Sequence, residues 1–132
     1  MCTLLVTVLM PMALLIACDP GAVQAPRELG PFFEVLKENG MDGSLTLRAP
    51  ANADMEYVAE YAIAKYTSTR IISLFKFRDA AKAAANLEAA LQNPKLSGQA
   101  RNGTFVMAAT FYPPDEETVD KIRAIFLAHE FR

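Results

Sequence analysis

Past position 18 the sequence has no cysteine, its only histidine is His129, and tryptophan is absent throughout. A domain built from those residues therefore has no disulfide, no thiolate metal ligand and no cysteine nucleophile. Glycine is scarce as well: the six glycines are dispersed, and none stands in Walker or dinucleotide-binding spacing. A serine triad would have to combine His129 with Ser44, Ser68, Ser73 or Ser97, and none of these lies in a Gly-x-Ser-x-Gly elbow. Asp42-Gly43-Ser44 and Asp115-Glu116-Glu117 do not match a calcium loop. No catalytic residue, metal or cofactor is therefore expected. The 13 basic and 15 acidic residues give a formal charge of -2, and no basic block forms, which argues against nucleic-acid binding.

One long apolar run is present, from Leu4 to Ala17, uncharged and closed by Leu15-Ile16-Ala17-Cys18. At about fourteen residues, interrupted by Pro11, it falls short of the roughly 20 that span a bilayer as a helix. Ordinary secretory cleavage after Val23-Gln24-Ala25 meets Pro26, which obstructs it. The run and its closing cysteine resemble a bacterial lipoprotein signal peptide, although residues 1–3 lack the usual Lys or Arg. The resemblance implies cleavage before Cys18, a diacylglycerol thioether on that residue and acylation of its amine, palmitate being the common chain type. The other reading of the segment is an uncleaved structural helix. Several acyl chains on one residue would anchor far more tightly than a single myristoyl group. Asp19 after the cysteine resembles the signal that retains lipoproteins in the inner membrane, facing the periplasm, where enteric-type sorting applies.

The expected organisation is a signal at 1–17, a lipidated Cys18 with tether to residue 29, and one domain over 30–132. Within the tether, Asp19 to Pro26 is small and proline-containing, enough to span about 20 Å when extended. The domain has a length typical of a single core.

Periodicity sets out the elements. Pro31 suits a first helical turn, Phe32, Val35 and Leu36 recur at helical spacing, and Asn39-Gly40 supplies a stop, predicting a helix over 31–39. Residues 43–49 alternate around Leu45 and Leu47 as an edge strand, ended by Pro50. With Asn52 as cap, the stripe Met55, Val58, Ala59, Ala62, Ile63 and Tyr66 predicts a helix over 53–66. Thr69 to Phe77 is β-branched and aromatic on both faces, as a central strand is. Asp79 caps an alanine-rich helix striped by Ala80, Ala84, Leu87 and Leu91. Arg101-Asn102-Gly103-Thr104 predicts a type I′ turn joining strands 96–101 and 104–112. After Pro113-Pro114 a final helix carries the acids Asp115, Glu116 and Glu117 in its first turn and is striped by Val119, Ile122, Ile125 and Phe126.

This order predicts an α+β fold, a mainly antiparallel sheet with helices packed on one face. From residue 69 the rhythm strand-helix-strand-strand-helix resembles ferredoxin-like domains and the small peptidoglycan-binding repeats of cell-division lipoproteins. That likeness is one of element order, and fold likeness licenses no function.

Two surfaces are candidates for binding. Tyr57 and Tyr61, one turn apart on the expected helix, would supply rigid amphipathic contact area for a protein partner, peptidoglycan or a sugar; covering the rim of the core is the other reading. Lys76, Arg78 and Arg101, expected at one end of the sheet, would receive an anion if they converge. Glu56 with Glu60, or Glu34 with Glu38, would form a hydrolase pair only if they met in a cleft. His129 is expected to complement the dipole at a helix end. The resulting expectation is a membrane-tethered, non-catalytic interaction module of the cell envelope, the alternatives being a small hydrolase or a glycan- or small-ligand-binding domain.

Overall fold

A computed structural model describes residues 26–64 and 68–132; the signal-like run, Cys18, Asp19 and Tyr66 lie outside the described residues. The elements are α1 (Gly30–Glu38), β1 (Gly43–Arg48), β2 (Met55–Ile63), β3 (Thr69–Phe77), α2 (Ala80–Ala90), β4 (Ser97–Asn102), β5 (Phe105–Tyr112) and α3 (Glu116–Ala128). The strands form one sheet in the order β1-β2-β3-β5-β4, every neighbouring pair antiparallel. The fold is α+β.

Local chemistry sets most boundaries. Pro31 opens α1, and Gly40, at φ +82°, closes it with its N–H on Lys37 O while Met41 N–H returns to Leu36 O. The Asp79 carboxylate accepts from Lys82 N–H at the start of α2, and the Asp115 carboxylate from Thr118 N–H at the start of α3. Each cap satisfies a donor that the first helical turn leaves orphaned.

The sheet is covered on both faces. Alternate residues of the strands, among them Tyr61, Ile72, Leu74, Ala100, Met107 and Ala109, meet Phe32, Leu36, Ile122 and Phe126 of α1 and α3 in the main core. The opposite alternation, Val58, Phe77 and Val106, packs with Met55 against Ala83 and Leu87 of α2 in a smaller cluster. A shared layer on one face thus describes α1 and α3, while α2 lies across the sheet from them. On α2 the buried residue is Ala83 and Leu91 is exposed, so the expected Ala80-Ala84-Leu87-Leu91 stripe is rotated.

Two local expectations are corrected. Residues 53–66 do not form a helix, because Met55–Ile63 is strand β2, bonded between β1 and β3. A register shift between Met55 and Tyr57 brings Met55 and Val58 into the same cluster, and this bulge imitates helical i, i+3 spacing. The hairpin is closed by Gly103-Thr104, one residue later than expected. Asn102 pairs with Phe105, and Gly103 at φ +63° takes the first turn position, as in Gly-x turns.

Candidate functional site

The tyrosines come to lie on one face of β2, the face that carries the main core. Tyr61 is 3% exposed, stacks on Phe33 at 4.6 Å and donates its hydroxyl to Met41 O at 3.0 Å. Its burial raises its pKa, with the Asp42 charge adding to the effect. Tyr57 is half-buried and donates to Glu28 Oε1 at 2.8 Å, its own pKa raised by burial and then by that carboxylate. The pair does not form an exposed patch; it fastens β2 to α1 and to the turn before it. This is the core-rim reading, and the exposed-patch expectation fails because it assumed a helical surface.

Lys76, Arg78 and Arg101 all stand at the hairpin end of the sheet, each engaged locally. The Lys76 ammonium donates to Thr104 Oγ1 at 2.7 Å and lies 4.8 Å from the centre of the Phe105 ring. Arg78 Nε donates to Ala53 O and Arg101 to Gly103 O, both at 2.9 Å. Arg101 pairs with Val106 and Lys76 with Phe105, so strand alternation sends their side chains to opposite faces. The three therefore do not converge on one ligand.

The carboxylates form no enclosed pair either: Glu34 and Glu38 stay exposed on α1, and Glu56 and Glu60 separate. On a strand, Glu56 and Glu60 are about 13 Å apart along the chain, beyond the 5 to 10 Å, about, that glycosidase carboxyls require. Glu60 accepts from Arg48 Nε at 2.7 Å, and Glu34 faces Lys37 at 4.0 Å. His129 follows the last turn of α3 with its ring 5.6 Å from Phe32 and 4.6 Å from Phe131. Burial lowers its pKa against the opposing pull of Glu130, which favours the neutral ring and corrects the dipole role expected of it.

A polar centre not foreseen from the sequence joins β3 to α3. Arg70, at the start of β3 with its side chain 14% exposed, pairs with Asp115 and lies 5.0 Å from the Phe111 ring centre. The Thr118 hydroxyl donates to the same carboxylate at 2.7 Å. These bonds hold the Asp115 carboxyl below its usual range, Thr118 first and Arg70 after it. Asp115 borders two clefts. One of about 440 Å³ opens toward Ser97, Gly98, Phe111 and Asp120, the other of about 270 Å³ toward Asn39, Gly40, Ala64 and Lys121. With its cation neutralised by a bonded carboxylate, the centre acts as a strut between sheet and helix. Among the described residues no group of three or more His, Cys, Asp or Glu could hold a metal.

Asn102 was also missed. Its side-chain amide donates to Phe126 O at 2.8 Å and to His129 O at 2.7 Å, capping the end of α3 from the hairpin.

What remains accessible is the rim of the sheet. β1 is the more exposed border: Ser44, Thr46, Leu47 and Arg48 are exposed, Gly43 and Leu45 half-buried. No family model, no curated protein and no solved structure matches the chain.

Proposed function

We propose that the protein is a lipid-anchored lipoprotein of the bacterial cell envelope whose domain works by binding. The observation that carries this reading is the uncharged apolar run ended by Leu15-Ile16-Ala17-Cys18. A peptidase that cleaves before a cysteine would leave Cys18 as the lipid-bearing first residue, and the short segment to Pro26 would tether the domain. Support for binding over catalysis comes from the engaged side chains: Glu60 is paired with Arg48, Arg70 with Asp115, and the tyrosine hydroxyls are bonded. These groups are occupied in holding elements together.

The test is the chemistry of the processed amino terminus. Mass spectrometry of protein extracted from membranes is expected to find an acylated amino-terminal Cys18, and Cys18→Ala to release the domain from the membrane fraction. An intact amino terminus beginning at Met1, or a Cys18→Ala chain still processed and membrane-bound, would overturn the reading. Crosslinking in intact cells then identifies what the tethered domain contacts.

A further inference from the structure

Sheet edges with unpaired backbone donors and acceptors invite another strand, and proteins usually blunt them with bulges, proline, charge or a covering element. β1 has little of this. Its register with β2 runs unbroken from Gly43 opposite Ile63 to Arg48 opposite Val58. It contains no proline, and its single charge, Arg48, is drawn back onto Glu60 of β2. Among the described residues no strand pairs with its outer side.

The side-chain pattern fits one occupant, a second copy of the same strand. Antiparallel pairing about a two-fold axis keeps each residue on its own face only if the partners differ by an even number of positions. With Thr46 opposite Thr46 of a second copy, Leu45 meets Leu47 twice by symmetry, on the face that carries Ala59 and Tyr61. Leu47 is 36% exposed in the single chain, and Leu45 packs on the rim of the main core. The other face then pairs Thr46 with Thr46 and Ser44 with Arg48, so no like charges oppose one another. A slip of one residue would set leucines against the polar face.

We propose that β1 is a homodimerisation edge, joining two copies into one continuous sheet about Thr46. This deepens the binding reading by naming the partner, while its register rests on β1 and not on the lipid. A strand of six residues buries less than the roughly 1,200 Å² of standard interfaces, so the dimer is weak and reversible. Confinement to one membrane would raise the effective concentration that such a contact needs.

The experiment uses the full chain with Cys2→Ser and Cys18→Ser, free of thiols and purified in mild detergent, so that failure of the lipid reading leaves it unaffected. Thr46→Cys is expected to give a disulfide-linked dimer under mild oxidation, since opposed Cα atoms lie about 4.5 to 5.5 Å apart and disulfides need about 4.4 to 6.8 Å. Arg48→Cys should stay monomeric, its two copies falling about 13 Å apart. A mixture of Ser44→Cys and Arg48→Cys chains should crosslink as a heterodimer, which tests the register without touching Thr46. Adding Leu47→Lys should lower crosslinking about tenfold. Absence of both the Thr46→Cys dimer and the Ser44→Cys/Arg48→Cys heterodimer in chains with unchanged circular dichroism would overturn the proposal, as would equal crosslinking of Arg48→Cys alone.

Discussion

The two borders of the sheet, β1 and β4, are each six residues long and are finished differently. β4 is bulged between Ser97 and Ala100, with Gly98 at φ +62° beneath Val119 of α3. Gln99 reaches Ala90 O of α2 at 3.1 Å, Arg123 of α3 returns to Gln99 O at 3.4 Å, and Asn102 caps α3. Helices on both faces thus clasp β4, whereas β1 is joined to the rest through β2 and keeps a straight, leucine-bearing margin. A bulged, clasped strand resists further pairing, and a regular exposed one permits it. The difference places the fastening contacts at one border and leaves the other regular and exposed.

The strongest way to break this contrast is Gly98→Val. A Cβ there would lie 2.6 Å from Val119 Cγ1 on a backbone that disfavours L side chains. We expect a loss of about 2 to 4 kcal/mol in chemical denaturation. A loss under about 1 kcal/mol would show that β4 is not held as tightly as its contacts indicate. Asp115→Asn comes next and probes the clasped half through pH. Because Thr118 and then Arg70 hold the folded Asp115 carboxyl below its unfolded value, its contribution is complete above pH of about 4 and fades as pH falls through the folded value. Thermal melts should show the native chain losing stability in that acid window more steeply than the Asn variant; parallel curves would refute the linkage. The smallest effect belongs to Leu47→Lys, within about 0.5 kcal/mol on the stability of the monomer. A larger loss would mean that β1 supports the core and is not a free margin.

What the sequence made legible was whatever local chemistry decides. Asn39-Gly40, Asp79 and Asp115 marked helix ends correctly, and the dense β-branched run Thr69–Phe77 announced the central strand. β2 was misread because its bulge turns a two-residue period into a three-residue one, and because a strand buried on both faces shows no clean alternation. The pairing of Arg70 with Asp115 spans 45 positions, and no local pattern carries such a contact. The only signal was a lone arginine at a strand start, opposite a capping acid after Pro113-Pro114. Tyr57 and Tyr61, four residues apart, share a face on a strand as they nearly do on a helix, but the helical assumption turned that face outward where the strand turns it onto the core.

Phe131 packs against Phe32 of α1 at 5.5 Å, Phe105 at 4.4 Å and Phe126 at 5.6 Å. During synthesis Phe32 emerges early and its partners Phe126 and Phe131 late, so this ring of α1 lacks those contacts until most of the domain has been made, whereas Phe33 can stack on Tyr61 sooner. A chain truncated before Phe131 should therefore bind chaperones more readily through the Phe32 side of α1.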